Sequence, residues 1–281
     1  MTTAFVLSGG GSLGAVQVGM LRGLAEAGVT PDLIVGTSVG ALNGGWLAAR
    51  PDVAGIEDLA TVWRSLSREV VFPTNFLQGL LGFIGKRRSL VSDSGLRKLL
   101  HHNLHFKRLE DAPIPLHVVA TDVLSGEDVL VSSGNAVDAI IASASIPAVL
   151  PPVRVGTREL VDGGVVNNTP ISHAVALGAT TVWVLPAGFA CALPEPPRGV
   201  LAMALHALTL TINARLASDI EQFEPEIELR VVPPLCPVTV SPVDFSHSAQ
   251  LIDRAYESTC HWLGTSPRRT GQAALLEPHH D

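Results

Sequence analysis

Short apolar runs bounded by glycine or proline alternate with longer stretches of helical periodicity along this chain. Residues 3–8, Thr-Ala-Phe-Val-Leu-Ser, are apolar at consecutive positions and stop at Gly9-Gly10-Gly11. A run of that kind reads as a strand buried on both faces. Val16, Met20, Leu21 and Leu24 then recur at helical spacing, so a helix is expected from about Leu13 to Ala27, with Gly28 as its stop. Asp32 to Val35 reads as a second buried strand and Val39 to Ala49 as a second helix. Two strands joined by one helix make a βαβ unit, which implies a parallel sheet.

Further along, Leu116 to Thr121 and Asp128 to Ser132 read as strands around a turn at Ser125-Gly126. Ala136 to Ala144 forms a helix of small residues, and Arg154-Val155 with Leu160-Val161 a hairpin. Thr169 is placed as a helix cap, with Pro170 at the first helical position and Gly178 as the stop. Thr181 to Leu185 is a core strand, Val200 to Phe223 a long helix, Glu228 to Val232 the last strand, and Ser246 to Leu263 the closing helix. The pattern predicts one α/β domain over residues 1–264 with helices on both faces of its sheet. Residues 265–281 carry proline, glycine and charges without periodicity and are expected to form a loose tail.

Composition narrows the class. Of the 281 residues 47% are hydrophobic and 16% charged, with mean hydropathy +0.34, which excludes a disordered chain. No stretch approaches the roughly 20 apolar residues of a spanning helix. The start, Met-Thr-Thr-Ala-Phe, lacks a basic region, so no signal peptide is read there and a cytoplasmic location is expected. A net charge of −7 and pI of about 5.8 argue against nucleic-acid binding. Cys191, Cys236 and Cys260 are odd in number and widely spaced, as in a reduced chain whose thiols are core residues.

Three segments carry candidate chemistry. Gly36-Thr37-Ser38-Val39-Gly40 matches Gly-x-Ser-x-Gly at a strand-to-helix joint, where a sharp turn exposes a nucleophilic serine. The pattern recurs at Gly10 to Gly14, beyond a run of glycines, so only the joint singles out Ser38. Gly9-Gly10-Gly11-Ser12-Leu13-Gly14 also reads as G-x-G-x-x-G, but Asp32, the acid a dinucleotide site would use, precedes the second strand instead of following it. No Gly-Lys-Ser/Thr is present. Such a loop offers backbone N–H groups to a developing oxyanion. Asp162, in Leu160-Val161-Asp162-Gly163-Gly164, ends an apolar strand, where burial would raise its pKa and suit it as the base. The histidines give no comparable motif. His101 and His105 share i, i+4 spacing without a carboxylate to complete a metal site, and His173, His206, His247 or His261 would be the last member of a triad.

Taken together and in this order, Gly9 to Gly14, Gly36 to Gly40 and Asp162 to Gly164 resemble the patatin-like phospholipase family. Ala142 to Pro147 and Asn167 to Pro170 resemble it as well. The resemblance implies a three-layer α/β/α sandwich with a mostly parallel central sheet and a Ser38–Asp162 dyad without a histidine, metal or other cofactor. It implies an oxyanion hole from Gly9, Gly10 and Gly11, with Val39 a further donor. Gly36 and Gly40 would shape the elbow, and Gly163 and Gly164 the turn after the base. The chain departs from the family at Leu13, where an Arg or Lys is often found.

The implied activity is hydrolysis of carboxylic esters of phospholipids or lysophospholipids through an acyl-serine. General carboxylester or thioester hydrolysis on the same fold is an alternative, as are a nucleotide-cofactor protein and a non-catalytic lipid-binding module. Asn75 to Arg88 places Phe76, Leu77, Leu80, Leu81, Phe83 and Ile84 before three basic residues. That segment, Phe76 to Arg88 above all, is a candidate lid or peripheral membrane contact. Oligomeric state is not legible.

Overall fold

The computed structural model of the protein describes residues 1–72, 89–188, 199–236, 238 and 240–265. The elements follow the apolar runs: β1 (Thr3–Leu7), α1 (Gly14–Glu26), β2 (Leu33–Thr37), α2 (Val39–Ala49), α3 (Val53–Ser65), α4 (Arg68–Val71) and α5 (Ser94–Asn103). Next come β3 (Leu116–Asp122), β4 (Asp128–Val131), α6 (Ala136–Ser143), β5 (Val153–Val155), β6 (Arg158–Asp162) and α7 (Ile171–Ala176). The chain continues through β7 (Thr181–Leu185), α8 (Val200–Phe223), β8 (Glu228–Val231) and α9 (Ser248–Gly264).

Consecutive apolar residues make strands with two buried faces, and two separate cores result. Phe5, Leu7 and Ile34 point to the face covered by α1, α2, α3, α6 and α9. Their neighbours Ala4, Val6, Leu33 and Val35 point to the other face, where they meet Ile171 and Ala174 of α7 and Leu216 and Ile220 of α8. The protein is therefore a three-layer α/β/α sandwich. The sheet runs β5-β6-β3-β2-β1-β7-β8, with β4 also on β3. The ladders β3-β2-β1-β7-β8 are parallel, while β4, β5 and β6 are joined by antiparallel pairing.

One detail of register builds the site. β2 pairs with β3 from Leu116 to Val119, and β6 pairs with β3 from Ala120 to Asp122. β4 covers Val118 to Thr121, so it takes one edge of β3, and β2 and β6 share the other. They arrive from opposite directions and meet end to end: Thr37 faces Val119, and Asp162 faces the next residue, Ala120. Residues 125 positions apart in sequence thereby end at one point.

Two sequence expectations fail. Pro170 lies before the first helical residue of α7 and not within it, and Thr169 gives that helix no side-chain cap. Thr169 instead offers its carbonyl oxygen to Ile171 N–H at 2.8 Å. Nor are all the thiols reduced: Cys236 is disulfide-bonded, with its partner outside the described residues, and Cys260 is free. The segment Phe76 to Arg88 and the tail from residue 266 onward lie outside the described residues.

Candidate active site

β2 turns into α2 at Ser38, which holds φ 54° and ψ −124°, a backbone conformation a non-glycine residue rarely adopts. The residues two positions to either side must be glycine. A Cβ on Gly40 would overlap the Leu7 carbonyl oxygen, and one on Gly36 would lie 2.6 Å from the Gly40 oxygen. The strained turn is held from outside by Ser143, whose Oγ accepts the Ser38 N–H at 2.8 Å and donates to the Val119 carbonyl at 2.6 Å. Serine at such a position commonly caps its helix, but Ser38 makes no capping bond. Its hydroxyl goes elsewhere.

Ser38 Oγ donates to Asp162 Oδ2 at 2.7 Å. Both residues are 6% exposed. The other carboxylate oxygen, Oδ1, accepts the Gly164 N–H at 2.7 Å, a bond that fixes the carboxylate in the turn after β6. Asp162 N–H donates to the Ser145 carbonyl at 2.9 Å, and its own carbonyl accepts from Thr121 Oγ1 at 3.0 Å. Burial pushes the Asp162 carboxyl up to about 6, against the opposing pull of the Ser38 hydroxyl and the Gly164 N–H. A base with that value is ionised near neutrality yet ready to accept a proton.

The glycine loop presents its amides by a simple constraint. A trans peptide points N–H and C=O in opposite directions, so pinning the carbonyl aims the amide. The Gly9 carbonyl is held by Ser8 Oγ at 3.1 Å and Asn168 Nδ2 at 3.3 Å, which aims the Gly10 N–H away from them. The Gly10 carbonyl accepts Leu13 N–H at 3.2 Å, which aims the Gly11 N–H. Neither amide has a partner among the described residues, and both glycines line the cleft that holds Ser38 and Asp162. Gly9 differs from the sequence expectation: its N–H donates to the Asn168 carbonyl at 3.2 Å and is not available to an oxyanion. Gly9 instead allows close approach, since a Cβ there would sit 3.0 Å from Ser38 Cβ. Val39 N–H, at the start of α2, has no partner among the described residues.

Other donors of the loop are spent within the fold. Ser12 N–H donates to the Pro242 carbonyl at 2.7 Å, and Ser12 Oγ to the Ser241 carbonyl at 3.0 Å. Asp32 accepts the Thr3 N–H at 2.7 Å, so it pins the start of β1. Among the described residues no histidine hydrogen-bonds to Ser38 or Asp162. α5 ends at Asn103, so His101 and His105 share no helix face, and His105 lies edge-on to Trp46 with ring centroids 6.2 Å apart. His173 Nε2 pairs with Asp128 Oδ2 at 2.9 Å. Among the described residues no cluster of His, Cys, Asp or Glu could hold a metal.

Two cavities meet at Ser38. One is a narrow apolar pocket of about 90 Å³ between α2, α3 and α5, walled by residues such as Leu42, Trp46, Leu59, Trp63 and Leu100. The other is an open cleft of about 600 Å³ lined by Gly10, Gly11, Asp162, Asn168 and Arg68. Gly11, Ser38, Phe72 and Ile146 belong to both. Sequence reasoning missed Arg68, and it placed Ser143 and Asn168 only in segments that flank the motifs. The available signal for Ser143 was a serine on the buried side of the small-residue helix α6, where a buried hydroxyl must find a partner.

A sequence model described as patatin-like phospholipase matches residues 5–175. The chain belongs to the patatin-like phospholipase family. Among its relatives, patatin-like phospholipase domain-containing protein 6 of Mus musculus is 30% identical over 189 residues, 66% of this chain and 14% of that protein. Neuropathy target esterase sws of Drosophila melanogaster is 29% identical over 185 residues, 65% of this chain and 13% of that protein. The chain thus covers about one-seventh of these relatives' length. Among solved structures, VipD from Legionella pneumophila aligns with a TM-score of 0.48 and 15% identity, over 94% of this chain and 67% of that one.

Proposed function

We propose that the chain is a serine acyl hydrolase that cleaves carboxylic esters of phospholipids or lysophospholipids. The observation that carries the reading is the 2.7 Å hydrogen bond from Ser38 Oγ to Asp162, at the point where an apolar pocket opens into a wider cleft. The acyl chain enters the pocket and the rest of the lipid stays in the cleft. Ser38 Oγ attacks the acyl carbon while Asp162 accepts its proton. The carbonyl oxygen becomes an oxyanion facing the Gly10 and Gly11 amides. Collapse breaks the ester C–O bond, and Asp162 returns the proton to the departing alcohol. Water then gives a proton to Asp162 and attacks the acyl-serine. As the acyl C–O bond breaks, Asp162 passes that proton to Ser38 Oγ, releasing the fatty acid and restoring both residues.

Arg68 supports a phosphate-bearing substrate. It is the only cationic side chain among the described residues lining the cleft, and it makes no ion pair or side-chain hydrogen bond with the described residues. Leu13, at the loop position where a cation was expected by resemblance, packs against Gly188 instead.

A fluorophosphonate probe tests the reading directly. Native protein is expected to label, Ser38→Ala not to label, and Asp162→Asn to lose about 10³-fold or more in turnover of a p-nitrophenyl acyl ester. Labelling and hydrolysis that survive in Ser38→Ala would remove Ser38 from the mechanism. Arg68→Ala is expected to lower kcat/KM on lysophosphatidylcholine about tenfold and to leave a monoacylglycerol within twofold. Equal loss on both would assign Arg68 no role in headgroup recognition.

A further inference from the structure

The dyad and the glycine amides leave unused a chain of buried side-chain amides that runs from the wall of the acyl pocket to the start of the glycine loop. Gln17 of α1 is fully buried, and Asn43 of α2 and Trp63 of α3 are nearly so. Trp63 Nε1 donates to Asn43 Oδ1 at 2.9 Å. Asn43 Nδ2 donates to Gln17 Oε1 at 2.9 Å and to the Gly14 carbonyl at 3.0 Å. Gln17 Nε2 uses both its protons, on the Ser8 and Leu185 carbonyls, each at 2.9 Å. Every N–H of the three side chains is satisfied, within a core that is otherwise apolar. Left without partners, such buried groups would destabilise the fold.

The end point of the chain matters. Ser8 and Leu185 are where the β1–β7 ladder runs out, its last rung being Ser8 N–H to the Leu185 carbonyl at 3.3 Å. Beyond it no strand partner dictates which way the peptides face. Gln17 holds the Ser8 carbonyl, and Asn168 holds the Gly9 N–H on the opposite side of the same peptide. That peptide is clamped at both ends, so the next one, which carries the Gly10 N–H, starts from a fixed direction. At the other end, Asn43 and Trp63 line the apolar pocket, and Asn43 sits five residues after Ser38 on the helix that the nucleophile begins.

We infer that Gln17 and Asn43 are positioning residues, an amide relay that sets the glycine loop in register with the nucleophile helix and the acyl pocket. The inference rests on the acyl-hydrolase reading above. An apolar core of equal volume would pack as well but would leave the Ser8 carbonyl without the Gln17 donor, so that the Ser8–Gly9 peptide would be held only at its N–H. A loop amide misplaced by about 1 Å costs on the order of 10²-fold in rate.

Gln17→Met, in the full-length protein, keeps the volume and removes all three bonds. It is expected to lower kcat and the rate of fluorophosphonate labelling at Ser38 by tenfold or more, with KM for a p-nitrophenyl ester within twofold. The low-pH limb of the rate profile should not move, because Asp162 is untouched. A variant that melts at lower temperature but keeps native kcat per labelled site would overturn the proposal and leave Gln17 a structural residue. Trp63→Phe guards against a Gln17→Met that fails to fold. It keeps an aromatic pocket wall, removes only the terminal donor, and is expected to lower kcat two- to fivefold; native kcat in a folded Trp63→Phe would likewise overturn the relay. If the folded native protein itself does not label, the acyl-hydrolase reading fails and the relay with it, whereas a native protein that labels beside a Gln17→Met with native kcat overturns the relay alone.

Discussion

Ser38 and Asp162 each hold a conformation or a charge state that the surrounding fold must sustain. For Asp162 the consequence is a pH dependence with a definite sign. Its folded value of about 6 lies above the ordinary 3.8, so the folded chain binds its proton more tightly than the unfolded chain does. That contribution to stability is fully present below pH 3.8 and is lost as pH rises through 6. Asp162→Asn is therefore expected to be more stable than the native protein at pH 8, by about 1–3 kcal/mol in urea denaturation, with the difference closing below pH 4. Activity runs the other way. In the proposed mechanism the ionised carboxylate is the base, so kcat/KM on a neutral ester should rise with pH and level off above about 6. A profile flat from pH 4.5 to 8 would remove Asp162 as the base.

At the scale of elements, the site depends on supports that carry no reacting atom. Helix α6 reaches the elbow through Ser143, whose hydroxyl bridges the Ser38 amide and the Val119 carbonyl. Ser143→Ala leaves the buried Ser38 N–H unpaired, and it is expected to cost about 1–3 kcal/mol with at least a tenfold drop in kcat. Unchanged kcat at reduced stability would mean that the elbow holds its strain without α6. The pocket between α2, α3 and α5 makes a different prediction. Filling it with Leu100→Trp should spare a butyrate ester and reduce kcat/KM on a palmitate ester about tenfold or more, compared as a ratio within one preparation.

Across the whole molecule, α1 and α9 pack at glycine-width separation. A Cβ on Gly19 would meet the Tyr256 amide at 2.7 Å and the Ala255 Cβ at 2.8 Å. Gly19→Val is expected to cost about 2–4 kcal/mol, a fall in Tm of roughly 5–15 °C, without changing KM in the fraction that stays folded. Among the described residues no helix is long and apolar enough to cross a membrane. The disulfide at Cys236 removes the cysteine argument for a reducing compartment, since such bonds persist where the surroundings are oxidising.

Much of this was legible beforehand because it is local. Apolar runs such as Ala4 to Leu7 must be buried on both faces, and the periodicity of Val200 to Phe223 fixes a helix with the observed bounds. The elbow, the glycine loop and Asp162 were visible as motifs because strained turns restrict which residues fit. What the sequence left open depends on register. Nothing local says that β2 and β6 share one edge of β3, and it is this end-to-end meeting that sets Ser38 against Asp162. Nor does it say which glycine amide is consumed. Asn168, 159 residues away, takes the Gly9 N–H and leaves Gly10 and Gly11. Sequence by itself determined the elements and the residue types able to do the chemistry, because burial and backbone strain act over a few residues. Only the tertiary structure decided which donors stay free and which carboxylate meets the serine, because hydrogen-bond partners across a sheet are chosen by strand register.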